Sequence, residues 1–416
     1  MSRLDSMIQE LCQGGVEYKT LDDLFVLKNG YTPSKKNDEY WHNGTVPWFR
    51  LEDIRTNGRV LSDAKQHVTS KAVKGSLFPA NSIIVSTTAT IGEHALIESP
   101  FLINQQLTCV SAKEQFKAQI NIKFVFYYFE ILKKDLKRIA SQSGNMPIVS
   151  LAKMKQLLMP LPPLEVQEEI VRLLDDFTAK TAELQDKLNE ELEARKKQYE
   201  YYRDTLLTKN KQIPRVKLCD IATSLYRGAG IKRDQVTEKG IPCVRYGEIY
   251  TTYDTCFSDC VSHTDEKYLA SPKYFEHGDI LFAITGESVE DIAKSIAYLG
   301  HDKCLAGGDI VVMKHNQNPR YLTHVLNTGM ARAQKSKGKV KNKVVHSSVP
   351  SIEQIEIPLP SLDDQQKYAD ILDDFYLALN KLRSELPAEI ESRQKQYEYY
   401  RDKLLTFKEL NELEVK

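Results

Sequence analysis

The feature that most limits how this chain can fold is a stretch written twice, RKKQYEYYRDTLLT at 195–208 and RQKQYEYYRDKLLT at 393–406. The same offset of 198 residues aligns MPLPPLEVQ at 159–167 with IPLPSLDDQ at 357–365, and LDDF at 174–177 with LDDF at 372–375. Upstream the likeness thins: WFRLEDI at 48–54 resembles CVRYGEI at 243–249, and ANSIIV at 80–85 resembles HGDILF at 277–282. The chain therefore alternates stretches that do not repeat with segments that do. Two units are too few for a solenoid.

Apolar positions in the shared segments recur at helical spacing. One set runs Ile170, Leu174, Phe177, Thr181, Leu184, Leu188, Leu192, Arg195, Tyr199, Tyr202, Leu206, and the other Tyr368, Leu372, Phe375, Leu379, Leu382, Leu386, Ile390, Arg393, Tyr397, Tyr400, Leu404. Both step by three and four with one stutter, the pattern of a coiled coil locally unwound in its middle. From Leu164 to Thr208 such a helix spans about 65 Å at ~1.5 Å per residue. MPLPPL and IPLPSL lack backbone donors and stop the chain before each helix, and Pro387 predicts a kink or a restart within the second. A tyrosine-rich seam needs a partner, and the other copy in the same chain supplies one, lying antiparallel. The predicted segments are 1–160, 161–210, 211–358 and 359–416.

A length of 416 residues with 41% hydrophobic content suits several folded domains. No apolar run approaches the roughly 18–20 residues that span a bilayer, and MSRLDSMIQEL lacks the apolar core of a signal peptide, so a soluble intracellular protein is expected. The seven scattered cysteines argue for a reducing compartment rather than a disulfide framework. Only Cys256, Cys260 and His263 come close together; a zinc site would need a fourth ligand and tighter spacing, so buried small hydrophobes are the expected role.

Net charge is zero, from 57 basic and 57 acidic residues, but the balance is uneven along the chain. Residues 165–204 and 363–402 carry −5 and −4, and the two stretches before them are mildly basic. Such asymmetry is informative where the total is not.

The unrepeated stretches mix short β-like runs (SIIVSTT at 82–88, LTCVSA at 107–112, DILFAIT at 279–285, GDIVVMK at 308–314) with single helices expected at 121–138 and 319–334, which reads as α+β. From Ile310 to Ile352 there is no acid but eight Lys or Arg, with Lys335, Lys337, Lys339, Lys341 and Lys343 alternating through KSKGKVKNK. That pattern suits a loop along a phosphate backbone; the bland reading is a solvated lysine-rich loop. The first stretch has a weaker counterpart at 136–164, which holds SQSGNMP with Ser143 and Asn145, and a loop near its start with Gly30, Tyr31, Lys35 and Lys36. Arg50 and Arg245 occupy aligned positions after predicted strands, where a guanidinium can reach a guanine edge, and Gln105 and Gln106 offer the amide that suits adenine. Thr88, at the end of SIIVSTT, and Arg227, which opens RGAGIKR, complete the candidate DNA-contacting set.

No catalytic motif accompanies these residues. PLPPL at 160–164 lacks the acid or amide of an amino-methylation motif, RGAGIKR at 227–233 is not a continuing glycine loop, and no Walker or HExxH sequence occurs. The pairs Asp175–Asp176 and Asp373–Asp374 lie beside the helical seam, where solvated or capping roles fit better than acid–base work.

The paired PLPPLEVQ and PLPSLDDQ segments, the paired QKQYEYYRD-type helices and the run NGYTPSKKNDEYWHNGTVPWFRLEDI at 29–54 resemble the specificity subunit of type I restriction-modification systems, along essentially the whole chain. TAEL at 181–184 looks like the four-residue unit tandemly repeated in one branch of that family. The resemblance implies two α+β target recognition domains, each reading half of a split DNA sequence, separated by two long helices in an antiparallel coiled coil with an internal pseudo-two-fold repeat. It implies a cytoplasmic, prokaryotic protein with no catalysis of its own, partnered by double-stranded DNA, two methyltransferase subunits that bind S-adenosylmethionine, and restriction subunits. The competing readings are a coiled-coil scaffold without DNA recognition and a stand-alone nuclease or methyltransferase. The seam itself is predicted from Leu174, Phe177, Leu184, Leu188, Tyr199 and Tyr202 with Leu372, Phe375, Leu382, Leu386, Tyr397 and Tyr400.

Overall fold

The computed structural model describes residues 3–56, 59–141, 147–269, 271–340 and 344–410. It divides into two compact units, one holding the chain up to Gln185 together with the part from Glu389 onward, the other holding Asp186–Ala388. Leu164–Thr208 and Leu362–Leu404 are single helices, and the division falls within both. Each unit thus contains one α+β domain, half of one long helix and the opposite half of the other. The second helix continues through Pro387 and does not restart there.

At the centre of the first domain is a five-stranded sheet in the order Phe25–Asn29, Leu107–Ala112, Ser82–Ser86, His94–Ile97, Val60–Leu61. The second domain repeats it as Ala222–Arg227, Ile310–His315, Ile280–Ala283, Ser295–Tyr298, Cys256–Phe257. In both sheets the last strand pairs in parallel with its neighbour and the rest run antiparallel. The inner strands are buried on both faces, so successive side chains enter different cores. Ile83 and Val85 pack toward the helices while Ile84 faces a smaller sheet, and Ile280 and Phe282 alternate with Leu281 in the same way. That smaller sheet has the order His67–Val68, Val46–Phe49, Leu102–Ile103 in the first domain. Its counterpart has five strands, Val236–Thr237, Ser262–Thr264, Ile241–Val244, Cys304–Ala306 and Tyr274–Phe275. The helix expected at 121–138 runs Ile122–Ser141, whereas the one expected at 319–334 is broken into Pro319–Leu326 and Gly329–Ser336. Thr328 breaks it by capping the second piece through a bond from Ala331 N.

A two-stranded ribbon closes each domain, Tyr18–Thr20 against Leu158–Pro160 and Arg215–Lys217 against Glu356–Pro358. The prolines that end these ribbons hand the chain to the long helices, and a fully buried glutamine fixes each exit. Gln167 accepts from Asn121 N–H (2.9 Å) and donates to the carbonyls of Gln119 and Pro162 (both 2.8 Å). Gln365 accepts from Asn318 N–H (3.0 Å) and donates to Gln317 Oε1 and Pro360 O (both 2.9 Å).

Within each unit the helix halves run antiparallel. Phe177 stacks on Tyr400 with centroids 6.2 Å apart, and Thr178 lies 3.4 Å from the Tyr397 hydroxyl. In the other unit Tyr202 meets Phe375 at 5.9 Å and Tyr199 meets Tyr376 at 5.7 Å. The seam is thinner than its periodicity suggests. Leu174, Tyr199, Leu372 and Leu386 are buried, and Leu188, Leu382 and Tyr397 are half-buried, but Phe177, Leu184, Tyr202, Phe375 and Tyr400 remain exposed on one side, Tyr202 at 47%. A pair of helices alone cannot enclose large rings.

The repeated QYEYYRD motif ties each helix to a domain. Arg203 lies over the Tyr199 ring and Arg401 over Tyr397, at 5.5 and 5.9 Å from the centroids. Asp204 accepts from Gly329 N–H (2.7 Å), and Asp402 accepts from Lys134 (2.8 Å). The LDDF aspartates do the same from the other helix half. Asp175 receives Tyr127 Oη (2.6 Å) and Lys123 Nζ (3.0 Å), while Asp373 pairs with His324 Nε2 (2.7 Å) and Arg320 Nη1 (2.6 Å). Burial alone would raise the Asp373 carboxyl, but His324 and Arg320 hold it below its usual range. These are structural anchors, not the solvated or capping groups expected of Asp175 and Asp373.

Removing one glutamine anchor strands a buried donor and two carbonyls. Gln167→Ala is expected to lower stability by about 3 kcal/mol, since each unsatisfied buried polar group costs ~1–3 kcal/mol. Urea unfolding of the full chain measures it; a loss below about 0.5 kcal/mol, the scale of an ordinary surface change, would show that the exit from the ribbon is held elsewhere.

Candidate nucleic-acid interface

At one end of the central sheet in the first unit, loops far apart in sequence are joined by backbone hydrogen bonds. Gly30 N–H bonds Leu107 O (3.1 Å), Tyr31 N–H bonds Ile103 O (2.8 Å), Asn104 N–H bonds Phe49 O (3.1 Å), Thr87 N–H bonds Gln106 O (3.2 Å) and Val149 N–H bonds Thr87 O (3.0 Å). Five loops thus form one surface. Gly30 is required at the crossing, because an added Cβ would lie 2.2 Å from Ile103 O.

The second unit repeats this lattice. Gly228 N–H bonds Ile310 O (2.9 Å), Ala229 N–H bonds Ala306 O (2.9 Å), Gly307 N–H bonds Val244 O (2.9 Å), Ile284 N–H bonds Asp309 O (2.9 Å) and Ser347 N–H bonds Ile284 O (2.8 Å). A Cβ on Gly228 would meet Gly307 O at 2.2 Å. The turn Asn104–Gln105–Gln106 therefore corresponds to Gly307–Gly308–Asp309.

The sequence candidates fall on these lattices with different freedom. Gln105 and Gln106 are exposed; Gln105 Oε1 accepts from the Thr32 hydroxyl, and Gln106 Oε1 accepts from Asn104 Nδ2 (3.2 Å). Arg50 is half-buried, with Nη2 on Glu52 (3.0 Å), its guanidinium 5.7 Å from the Trp48 ring, and a buried Nε that has no protein partner. The Thr88 hydroxyl is likewise buried without a protein partner. The Tyr31 hydroxyl is used internally, donating to Ala72 O (3.0 Å) and accepting from Lys74 N–H (2.8 Å). Lys35 and Lys36 are exposed on the loop after Gly30. In the second unit Arg245 bonds Glu248 Oε1 through Nε (2.9 Å) and Nη2 (2.8 Å), and Arg227 bonds Asp309 Oδ1 through Nη2 (2.6 Å) and Gly308 O through Nε. Both arginines line an open cleft of about 710 Å³ with Arg233.

A family profile, "Type I restriction modification DNA specificity domain", matches twice, over residues 13–194 and 211–392. The chain belongs to this family. The EcoprrI specificity subunit of Escherichia coli is 48% identical over 217 residues, covering 50% of this chain and 54% of that protein, so the chain spans about half of that relative. A putative type I specificity subunit of Haemophilus influenzae, S.HindORF215P, is 26% identical over 412 residues, 97% of this chain and 98% of the relative. A solved structure described as "Structural basis underlying complex assembly and conformational transition of the type I R-M system" superposes with a TM-score of 0.72 at 14% identity, over 95% of this chain and 98% of that one. At that identity the likeness supports the fold.

In this member of the type I specificity family, one expected contact is overturned. Lys335 lies on Gly329–Ser336, is 4% exposed, and points its ammonium at Leu326 O (2.8 Å) and Ser295 Oγ (3.1 Å). A side chain so enclosed cannot reach a phosphate. Lys337 is exposed and Lys339 half-exposed, on the stretch leading to the strand Val345–His346 beside the lattice. Lys341 and Lys343, like Ser143 and Asn145, lie outside the described residues. Arg233 and Asp309, which line the cleft, are not among the sequence candidates, and Thr32 is among them only as a member of the loop after Gly30. Aligning 104–106 with 307–309 would have found Asp309, but that alignment rests on backbone pairing rather than on shared residues. Among the described residues no cluster of His, Cys, Asp or Glu is arranged to hold a metal ion.

Burial, with repulsion from Arg332, pushes the Lys335 ammonium down to about 7. The unfolded lysine keeps its proton to about 10.4, so the unfolded state binds more protons across this window and stability rises with pH from about 7 toward 10. Lys335→Met is expected to raise Tm at pH 6.5, with the gain shrinking by pH 9.5, and to leave DNA binding unchanged; weakened binding would return Lys335 to the interface. Lys337→Glu with Lys339→Glu should instead weaken binding on all sequences and flatten the slope of log K against log salt by about 2.

Proposed function

We propose that this chain is the DNA sequence-recognition and assembly subunit of a type I restriction-modification complex, each domain reading one half of a split target. The carrying observation is that both domains present the same five-loop lattice with different side chains on it. An interior repeated so closely, with a variable rim, is what two readers of unrelated short sequences require. Phosphate attraction comes from the basic stretches, including Lys35, Lys36, Lys337 and Lys339, and base discrimination from the turns.

Methylation, using S-adenosylmethionine, and cleavage belong to the partner subunits. Two methyltransferase subunits dock along the repeated helical segments, where a duplicated surface accepts two copies of one partner, and restriction subunits join them. Among the described residues no helix is long and apolar enough to cross a membrane, and a cytoplasmic site of action fits DNA as the target.

Thr181–Leu184 lies just before the division between the compact units, on the uninterrupted helix Leu164–Thr208. Duplicating these four residues adds about 6 Å of helix, close to two base pairs of duplex at about 3.4 Å each. Methylation mapping of cells that express the duplicated chain with its methyltransferase should show both half-sites kept and the gap lengthened. A changed half-site with the gap preserved contradicts the reading, and a purified complex lacking salt-dependent DNA binding in a gel shift would leave a scaffold.

A further inference from the structure

The cleft of the second domain differs in chemistry from the same place in the first. Its walls are the end of Ala222–Arg227, the Gly307–Asp309 turn and the segment Arg245–Glu248. Arg227 and Arg245 each have one edge of the guanidinium taken by a carboxylate. Asp309 and the Gly308 carbonyl hold Nε and Nη2 of Arg227, and Glu248 holds the same two nitrogens of Arg245. Glu248 is itself buried and fixed by Ser262 Oγ at 2.6 Å. In both cases the Nη1–Nη2 edge of the guanidinium remains, with one N–H from each nitrogen directed the same way.

An arginine buttressed in this way is a poor general phosphate clamp, because its charge is already balanced. It is a good base reader, because its rotamers are restricted and its remaining donors match the paired acceptors O6 and N7 of guanine. The cleft is also open to a close approach. A Cβ built on Gly230 or Gly247, which line it, meets nothing within 4 Å. Arg233, by contrast, has no carboxylate partner among the described residues and suits a phosphate beside the pocket. In the first domain the position of Arg227 is held by Asn29, whose Oδ1 accepts from Thr108 Oγ1 (2.7 Å), and the turn carries amides instead.

We propose that this cleft is a guanine-reading pocket of the second domain, with Arg245 and Arg227 supplying the forks that fix guanine in one half of the bipartite target; the first domain keeps Arg50 at the position of Arg245 but has no counterpart of Arg227. The inference rests on the DNA-recognition reading above. The test is selection of bound duplexes from a randomised pool by the full chain in complex with its methyltransferase subunit, for the native protein and for Arg245→Lys, Arg245→Gln and Arg227→Gln. The lysine variant keeps the charge and loses the fork; Arg227, 59% exposed, tests the pocket without disturbing Glu248.

The native complex is expected to select two half-sites, one containing a fixed guanine for each fork. Each variant should lose roughly ten-fold or more of the preference at one of these guanines, with the other half-site and the gap unchanged. If folded variants, judged by an unaltered thermal melt, select the native motif, or if the position they relax is not a guanine, the pocket assignment is wrong while DNA recognition stands. If the native complex selects no motif, the recognition reading falls and this inference with it.

Discussion

In each unit a long helix half is seated on its domain by an apolar face, Val166, Ile170 and Leu174 in one and Ala369 and Leu372 in the other, and its register is set by polar contacts beside that face. The ring pairs Phe177–Tyr400 and Tyr202–Phe375 are open on one side, so they cannot alone fix the register of the helices. Register comes from groups that tolerate little displacement: the fully enclosed Gln167 and Gln365, the aspartates of LDDF and the Arg–Asp pairs of YYRD. A buried polar group left unpaired costs more than a slipped apolar contact, which gives each domain one seat on its helices.

That arrangement explains why the repeat is so uneven. Residues that seat a domain must meet both helices and the ribbon at fixed distances, and these are the residues written twice. Where the seat permits two solutions, the copies diverge without loss: Lys123 and Tyr127 serve Asp175 where Arg320 and His324 serve Asp373. The rim of each lattice is under no such constraint. Asn104–Gln106 and Gly307–Asp309 share a backbone path and no side chains.

Much of the frame was legible in the sequence because it is periodic or repeated. Helical spacing located both long helices, Pro-rich runs marked their starts, and short β-like runs found the central strands. The α+β class and the antiparallel pairing followed from those. What one dimension hides is direction. KSKGKVKNK reads as an even row of lysines, yet its first member is the last turn of a helix and faces inward, and only the next two described lysines face solvent. Asp175 and Asp373 read as solvated or capping groups within the pairs Asp175–Asp176 and Asp373–Asp374, because their partners lie about 50 residues away. The loop lattices were visible only as scattered candidates, since hydrogen bonds between backbone atoms leave no residue signature apart from Gly30 and Gly228.

The central claim is that one chain carries two independent readers on a shared frame. It is tested most directly by methylome sequencing of cells that express this chain with its neighbouring methyltransferase and no other modification system. The account predicts one bipartite motif, two short defined half-sites separated by a gap of fixed length and undefined sequence. A single uninterrupted motif, or a gap of variable length, would contradict it.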